Sequence, residues 1–361
     1  MKIGIVGTRG IPAKYGGFET FAQELAPRLV QKGMNVIVYC DKDSHDSAEY
    51  MGVKLDYLNS TKSKNPLKFY YEGLKCSHNE CDITIVTGLG AAIFYPIMKK
   101  GKSVIITNTD GIEYKRKKWG FFKKMFLRLS EYLDVKFSDI LIADSIGIRN
   151  HLIEKYNIAP KKIWLIEYGA YLNEYRDYTF LKENNITHDN YYLIVSRLVP
   201  ENNIHIMIDG YMKSKFEKPL IIVGNLDQTD YVNNLLKSKN ENIRFFGGVY
   251  DQRKLKALRT SCFAHLHGHS VGGTNPSLLE AMGSGNMIIA HDNVFNKEVI
   301  GSLGFYFKDS NDIVNCFKEI EQLSLFNRNK RSNELINRIS TYYNWDLIAD
   351  RYFVNLRCLK R

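Results

Sequence analysis

Residues 263–285 read FAHLHGHSVGGTNPSLLEAMGSG, and they predict a strand, a turn and a helix in close succession. The short apolar run around Leu266 ends in a glycine-rich turn, and Asn275 then stands directly before Pro276. Asparagine before proline is a strong signal for the first turn of a helix, because proline lacks the N–H group that would be unsatisfied there. We therefore expect a helix to begin near Pro276.

This segment has the chemistry of an anion site. The free N–H groups and the positive dipole end of a helix favour a phosphate. Glu280 lies about one turn into the helix, where its carboxylate can reach a hydroxyl of a ligand bound at the helix start. A glycine turn that leads into an ordinary core helix, with Glu280 solvated, has the same pattern. The residues by themselves leave both interpretations open.

A resemblance to a known family favours the first interpretation. The segment GGTNPSLLEAMGSG resembles the donor-binding segment of glycosyltransferase family 4, whose members are retaining enzymes of the GT-B fold. That family usually has an acidic residue eight positions before the glutamate of a Leu-Leu-Glu-Ala sequence, and here the earlier position is Gly272. The Gly-Gly-Thr-Asn-Pro variant is similar to bacterial rhamnosyltransferases of surface-polysaccharide assembly. The resemblance implies donor binding by Gly272, Gly273, Thr274, Asn275 and Glu280.

Two further stretches of the second half resemble donor elements of the family. In VSRLVPENN, residues 195–203, Arg197 matches an arginine that binds the diphosphate, and Asn202 stands where the family has a second cation, lysine. A guanidinium suits this task because it binds phosphate with two hydrogen bonds. A surface ion pair between Arg197 and Glu201 is the alternative. In GGVY, residues 247–250, the backbone near Val249 would meet the nucleobase.

The N-terminal stretch has a second glycine-rich loop. Residues 2–7 predict a strand, and TRGIPAKYGG, residues 8–17, precedes a predicted helix. The loop is too long for a dinucleotide fingerprint, and the spacing GxGxxG is absent. The resemblance implies a Gly-Gly-x-Glu element made of Gly16, Gly17 and Glu19, in which the glycines complete the phosphate pocket. A structural role for Glu19 as an early-helix carboxylate is equally open.

The candidates for the acceptor and the sugar are fewer. Asp110 follows a predicted strand, and the C-terminal ends of strands carry ligand-facing groups in α/β sheets, although Asp110 can also belong to a simple turn. Many family 4 enzymes have a histidine near this point, and this chain has none. His269, beside the glycine loop, is a candidate sugar contact. His265, His267 and His269 alternate along one strand face, but no carboxylates accompany them, so neither a metal nor another cofactor is expected.

Charge and composition bear on partners and location. The net charge is +11, and the first 170 residues hold 26 basic and 18 acidic residues. Residues 114–129 contain seven basic residues and no acid, interleaved with aromatics. We expect this segment to contact an anionic membrane surface, rather than nucleic acid, whose binding motifs are missing. A solvated basic helix with its aromatics in the core is the alternative.

No apolar run reaches the ~18 to 20 residues that cross a bilayer, and the N-terminus predicts a strand rather than a signal peptide. The six cysteines lack metal-site or disulfide spacing, which favours reduced thiols. A cytoplasmic protein is therefore expected, peripheral at the inner face of the plasma membrane.

Length and strand pattern predict the domain organisation. With 361 residues and two successive alternations of strands and helices, we expect two domains. The resemblance implies GT-B: two Rossmann-like α/β domains with parallel sheets facing across a cleft. Residues 1–170 with 345–361 would bind the acceptor, since the C-terminal helix would cross back to the first domain, and residues 171–344 would bind the donor.

The function that follows is transfer of a sugar from a nucleoside-diphosphate donor. The resemblance implies a retaining enzyme, with L-rhamnose from dTDP-rhamnose as the donor sugar. The acceptor would be a lipid-linked saccharide in capsule, O-antigen or other surface-polysaccharide assembly. Two alternatives stay open: a sugar-nucleotide epimerase of the same fold, and a non-catalytic, membrane-associated nucleotide-sugar-binding protein, since Gly272 and Asn202 depart from the family pattern.

Overall fold

The chain divides into two compact units, each with its own sheet. The computed structural model describes residues 1–14, 16–44, 47–98, 103–109, 111–116, 119–173, 175 and 178–359. The first unit is Met1–Gly169 with Trp345–Arg361, and the second unit is Ala170–Asn344.

The first unit is built on an eight-stranded sheet. Its strands are β1 (Lys2–Val6), β2 (Asn35–Cys40), β3 (Glu49–Tyr50), β4 (Val53–Tyr57), β5 (Ile83–Thr87), β6 (Val104–Asn108), β7 (Ile140–Ala143) and β8 (Ile163–Leu165). The order is β3-β4-β2-β1-β5-β6-β7-β8, and every neighbouring pair is parallel except β3 with β4. The central strands are apolar and buried, as expected when helices cover both faces of a parallel sheet.

Five helices connect these strands. They are α1 (Gly17–Gln31), α2 (Pro66–Glu80), α3 (Tyr95–Met98), α4 (Phe121–Phe137) and α5 (Ile146–Tyr156). The apolar sequence of residues 87–98 predicts a glycine turn and one buried helix. The structure has instead a 3-10 helix at Leu89–Phe94, followed by the single turn of α3. No element was predicted from sequence at β3, β4 or α2.

The second unit has a six-stranded parallel sheet. Its strands are β9 (Tyr192–Val195), β10 (Leu220–Val223), β11 (Ile243–Gly247), β12 (Ala264–His267), β13 (Met287–His291) and β14 (Phe305–Phe307). Its helices are α6 (Thr179–Glu183), α7 (Ile204–Ser214), α8 (Asp230–Leu236), α9 (Gln252–Ser261), α10 (Pro276–Gly283), α11 (Val294–Ile300), α12 (Ser310–Glu321) and α13 (Leu325–Tyr342). Apolar runs at 191–196, 220–223, 243–246, 263–267 and 287–290 predict five of these strands, and the short edge strand β14 is not among the predicted ones.

The last helix, α14 (Trp345–Cys358), packs on the first unit. Asp346 of α14 accepts a 2.8 Å hydrogen bond from Arg28 Nε of α1, and the rings of Phe21 and Tyr352 lie 5.6 Å apart. An added Cβ at Gly169 would lie 2.4 Å from the Trp345 ring, so only glycine lets this tryptophan pack there. The C-terminal segment therefore returns to the first unit.

Candidate functional site

The second sheet has one topological switch point, between β9 and β12. Its order is β11-β10-β9-β12-β13-β14, so successive strands are added on one side of β9 and then on the other. In open α/β sheets, ligands bind outside the carboxyl ends of the strands at such a point. Arg197 follows β9, and the glycine-rich loop of residues 268–275 follows β12. The two strongest sequence-predicted donor elements therefore share the edge of the sheet where ligands are expected.

The loops that follow β9 and β12 are joined by hydrogen bonds whose acceptors are backbone carbonyls. The Glu201 carbonyl accepts hydrogen bonds from Ser270 N and Ser270 Oγ, at 3.1 and 2.8 Å. Asn203 Nδ2 donates to the Gly268 carbonyl at 2.8 Å. A Cβ at Gly268 would lie 2.1 Å from the Asn202 carbonyl oxygen. Glycine at position 268 thus permits the close approach that joins the two loops.

The start of α10 confirms the helix start predicted from sequence. Pro276 is the first helical residue, and Asn275 Oδ1 accepts a 3.0 Å hydrogen bond from Ser277 N. Ser277 Oγ donates to the carbonyl of Val195 at the end of β9, at 3.0 Å, which fixes the first turn of the helix against the switch point. Thr274 is buried, whereas Gly272 and Gly273 are half-buried.

The backbone explains why position 272 is glycine. Gly272 has a φ of +131°, a conformation that residues with a side chain rarely adopt. Among the described residues, no atom lies within 4 Å of the place where its Cβ would be. Position 272 therefore has a backbone conformation that favours glycine and no side-chain carboxylate.

Glu280 is neither solvated on all sides nor free. Its Oε2 lies 2.6 Å from Arg259 Nη2, and the side chain of Arg259 is only 4% exposed, whereas that of Glu280 is 41% exposed. One side of the carboxylate is thus bound to a buried cation while the other faces solvent. The alternative of a simply solvated Glu280 is wrong. Sequence reasoning missed Arg259, which lies on α9 and belongs to no recognisable motif.

Arg197 is exposed at the edge of the sheet, and no ion pair of its guanidinium occurs within the described residues. The suggested pair with Glu201 is wrong, because the Glu201 carboxylate is buried and neither of its oxygens has a hydrogen-bond partner. Asn202 is buried and donates from Nδ2 to the Arg197 carbonyl at 2.7 Å. Its amide therefore shapes the loop that carries the arginine.

Three histidines run along β12 towards the glycine-rich loop. The rings of His267 and His269 stack at 4.4 Å with an interplanar angle of 13°, and His265 stacks on His267 at 6.3 Å. Burial, together with the nearby charge of His291, lowers the pKa of His267 to about 3, and burial likewise lowers the pKa of His265 well below its usual range. These two imidazoles are neutral at physiological pH. His269 is half-buried at the start of the loop, close to where a donor sugar is expected.

Two further observations concern the remaining candidates in the second unit. Val249 is half-buried and packs on the apolar cluster that includes Tyr191 and Leu193. It follows β11, two strands from β9 at the same edge of the sheet. Within the described residues, no group of three His, Cys, Asp or Glu side chains is placed to hold a metal ion.

The glycine-rich loop of the first unit also lies at a switch point, between β1 and β5. Gly16 precedes α1 in extended conformation, and a Cβ at Gly17 would meet no atom of the described residues within 4 Å. Glu19 Oε1 accepts a 3.0 Å hydrogen bond from the backbone N of Arg9. Glu19 is buried and holds its own loop, which favours the structural interpretation of this residue. Asp110 lies outside the described residues.

The basic segment, residues 114–129, exposes large apolar side chains to solvent in the first half of α4. Phe121 and Phe122 are 73% and 82% exposed, and Met125 and Leu129 are also exposed. By contrast, Trp119 and Phe126 pack on a small cluster around Leu127. The alternative in which the aromatics enter the core thus holds for the second pair and is wrong for the first.

Two basic residues of this segment, Lys117 and Lys118, lie outside the described residues. In the part of the chain that is described, no helix is both long and apolar enough to cross a bilayer.

Comparison with known families assigns the second unit. Residues 178–339 match the family model described as glycosyl transferases group 1. Residues 178–339 therefore form a group 1 glycosyltransferase domain. Residues 1–171 match a domain of unknown function, DUF1972. No curated protein sequence matches the chain.

Solved structures share the fold of this chain over almost its whole length. Sucrose-phosphate synthase from Thermosynechococcus elongatus superposes with a TM-score of 0.81 at 16% identity, covering 99% of this chain and 98% of that one. Anabaena HepE in complex with UDP-glucose gives 0.79 at 17% identity, with 99% and 100% covered. A UDP-forming α,α-trehalose-phosphate synthase from Burkholderia vietnamiensis gives 0.76 at 12% identity, also with 99% and 100% covered. The predicted fold class, GT-B with parallel α/β sheets in two domains, is confirmed.

Proposed function

We propose that this chain is a glycosyltransferase, which binds a nucleoside-diphosphate sugar at the switch point of its second unit and transfers the sugar to a saccharide acceptor held by the first unit. The observation that carries the proposal is the meeting of three groups at one sheet edge. Arg197 follows β9, the N-terminus of α10 lies beside the end of β9, and Glu280 presents an open carboxylate one turn along α10. Anabaena HepE, of similar fold, was solved with UDP-glucose.

The arrangement suits the departure of a nucleoside diphosphate. Negative charge grows on the diphosphate as the bond to the sugar breaks, and fixed donors aimed at that charge stabilise the transition state. In this proposal Arg197 and the N–H groups at Gly273 to Asn275 bind the diphosphate, assisted by the α10 dipole. Glu280 accepts a hydrogen bond from a hydroxyl of the nucleoside sugar, and the backbone near Val249 meets the nucleobase. No metal takes part.

The donor we propose is dTDP-L-rhamnose, and the mechanism is retaining, as in the family 4 rhamnosyltransferases that the glycine-rich segment resembles. Gly272 supports a 6-deoxy sugar. Family 4 enzymes often use an acidic side chain there to bind donor hydroxyls, and the open space around Gly272 offers no such contact. His269, half-buried at the loop, is the candidate for contacting the sugar.

The acceptor we propose is a lipid-linked saccharide at the inner face of the plasma membrane, in surface-polysaccharide assembly. The exposed Phe121, Phe122 and Met125 stand beside the exposed Lys123 and Arg128, and such a mixture of aromatic and basic side chains suits an anionic headgroup layer. Asp110, for which the support is its place after β6 in sequence, would contact an acceptor hydroxyl.

A thermal-shift panel tests the donor. UDP, GDP, ADP, dTDP and their common sugar conjugates are compared, since a ligand at about 100 times its Kd stabilises a protein by about 2.7 kcal/mol. We expect the largest shift with dTDP and dTDP-rhamnose. A larger shift with UDP-glucose would replace the rhamnose donor, and no shift with any nucleotide would overturn the proposed function.

The mass of the product separates the remaining alternatives. Transfer adds a sugar to an acceptor, whereas an epimerase returns a nucleotide sugar or sugar of unchanged mass. Donor binding with neither change would indicate the non-catalytic binding protein.

Liposome flotation tests the proposed membrane contact of residues 114–129. The double variant Phe121→Ser, Phe122→Ser should lose binding to vesicles of phosphatidylglycerol and phosphatidylcholine, because each exposed phenylalanine buries apolar area in the interface. The matched control is Leu325→Ser, Phe326→Ser, which removes an equally exposed apolar pair from α13 in the second unit and should leave flotation unchanged. Binding that is independent of anionic lipid, or equal loss in both double variants, would count against the proposal.

A further inference from the structure

Arg259 is a buried cation at the candidate donor site. It lies near the C-terminal end of α9, and its side chain is 4% exposed. Its Nη2 contacts Glu280 Oε2 at 2.6 Å and Ser277 Oγ at 3.3 Å. Both contacts are on α10, the first at its second turn and the second at its first turn. The guanidinium therefore spans the helix start that carries the candidate ligand groups.

The surrounding structure holds Arg259 in place. Its carbonyl accepts a 2.6 Å hydrogen bond from Asn286 Nδ2, and Asn286 is itself buried. Ser277, the second partner of the guanidinium, donates to the carbonyl of Val195 at the end of β9. The contacts thus connect α9, α10 and the strand that leads to Arg197. A displacement of Arg259 would therefore disturb contacts of α9, of α10 and of the end of β9.

Charge compensation makes Glu280 the required partner. A buried cation needs an opposite charge and hydrogen bonds, because burial removes its hydration. Among the described residues, Glu280 is the only acidic side chain in an ion pair with Arg259. Arg259 Nε is buried without a hydrogen-bond partner, so the pair with Glu280 supplies the charge compensation that this guanidinium has. The carboxylate is consequently fixed before any ligand binds.

Fixing Glu280 has two consequences for a nucleoside diphosphate. First, ordering a free glutamate side chain upon binding costs conformational entropy, and an already ordered carboxylate avoids that cost. Second, a lone carboxylate one helical turn from a diphosphate would repel it, and the adjacent guanidinium offsets that charge. Oε1 is left for a hydroxyl of the ligand while Oε2 contacts Arg259.

We infer that Arg259 is a positioning residue, which orients Glu280 towards the ribose of the donor nucleotide without touching the ligand itself. The inference rests on the proposed function, since it requires a nucleotide at this site. It also gives a physical reason for the proposed hydrogen bond between Glu280 and a ribose hydroxyl. Removal of Arg259 should therefore weaken binding only when that hydroxyl and Glu280 are both present.

The experiment is a double-mutant cycle measured by calorimetry. Arg259→Met and Glu280→Gln are made singly and together, and Kd is measured for UDP and for 2′,3′-dideoxy-UDP. If dTDP gives the larger thermal shift, dTDP and 3′-deoxy-dTDP replace them. We expect Arg259→Met to weaken binding of the hydroxyl-bearing nucleotide about tenfold, and to change Kd by less than about twofold for the deoxy analogue and in the Glu280→Gln background.

Two further variants separate positioning from folding. Arg253→Met removes an exposed arginine of the same helix and should leave both Kd values unchanged. Arg259→Lys keeps the charge and should recover part of the lost affinity, and it takes the place of Arg259→Met in the cycle if the methionine variant does not fold.

The outcomes distinguish the inference from the proposed function. Equal losses for the two nucleotides, or losses at positions 259 and 280 that simply add, would overturn the positioning role and leave the nucleotide site intact. A wild-type protein that binds UDP and its dideoxy analogue equally would overturn the role of Glu280 and the inference with it. Absence of binding to UDP, GDP, ADP and dTDP would overturn the proposed function itself.

Discussion

Glu19 and Glu280 occupy similar places in the two units and have different partners. Each follows a glycine-rich loop, each lies early in a helix, and each loop is at the topological switch point of its sheet. Glu19 is buried and accepts a hydrogen bond from the backbone of its own loop. Glu280 is paired with a buried arginine and remains open to solvent on its other side.

The contrast shows that the local pattern of glycines and an early glutamate does not determine what the carboxylate does. In the first unit the loop of residues 8–14 folds back over α1, and a second side chain, Gln23, accepts a 2.7 Å hydrogen bond from Ala13 N. Side chains of α1 therefore hold the loop of residues 8–14 in place. In the second unit the loop of residues 268–275 is held by the Glu201 carbonyl, which accepts hydrogen bonds from Ser270 N and Oγ. The loop therefore does not need the carboxylate of Glu280, which can bind a ligand instead.

Ligand binding should separate the two glutamates most clearly. We expect Glu280→Gln to raise the Kd for UDP or dTDP about 10- to 100-fold, because a hydrogen bond to a charged group contributes about 1.5 to 3 kcal/mol. Glu19→Gln should change Kd by less than about threefold, since the carboxylate faces its own loop. Isothermal titration of both variants measures this. Equal losses at the two positions would break the comparison and make Glu19 a ligand contact.

The pH dependence of stability should sharpen the comparison next, because β12 carries buried histidines whereas β1 carries none. Burial lowers the pKa of His267 to about 3 in the folded protein, against about 6.5 in the unfolded chain. Between these values only the unfolded chain takes up the proton. Stability is therefore complete above about pH 6.5 and falls as the pH is lowered, by about 2 kcal/mol at pH 5 for His267.

Urea unfolding at pH 7.5 and pH 5.0 measures this effect. All three tryptophans, at positions 119, 164 and 345, belong to the first unit, so fluorescence follows that unit while circular dichroism follows both. His267→Gln should reduce the pH-dependent loss seen by circular dichroism, and His188→Gln, which removes an exposed imidazole, should not. An unchanged pH dependence in His267→Gln would contradict the assignment of a neutral buried imidazole.

The smallest effect expected is the loss of stability from the loop of the first unit. Glu19→Ala removes the acceptor for Arg9 N and should lower the free energy of unfolding of the first unit by about 1 to 2 kcal/mol. Gln23→Ala removes a neutral acceptor and should cost about 0.5 to 1.5 kcal/mol. Tryptophan fluorescence during urea unfolding measures both. No shift in either variant would show that the loop does not depend on α1.

Short-range patterns were predicted well from sequence. The strand β1, the strands β9 to β13 and the start of α10 at Pro276 agree with the structure. The strands β3 and β14 were missed because they are short and lie at the edges of the sheets. Edge strands are less strictly patterned, since one side of each remains unpaired.

The candidate site was predicted in part. Arg197 and the loop of residues 268–275 were identified separately, and the sheet order brings their elements together. The resemblance placed Asn202 among the donor contacts, where the structure shows its amide bound to the Arg197 backbone. The aromatic residues of the segment 114–129 were identified from sequence. Sequence alone did not show that Phe121 and Phe122 are exposed. Nor did it show that Trp119 and Phe126 pack on an apolar cluster, because all four are aromatic residues in the same basic segment.

The sequence by itself determined where the helix at Pro276 begins, because an N-cap, a proline and a glycine turn act within a few residues of one another. It also determined that both glycine loops follow strands of parallel sheets. Only the tertiary structure decided what each glutamate contacts. Arg259 reaches Glu280 from a different helix, and Arg9 meets Glu19 only because the loop folds back. Such contacts depend on how the elements pack, and packing is a property of the whole unit rather than of the segment that carries the motif.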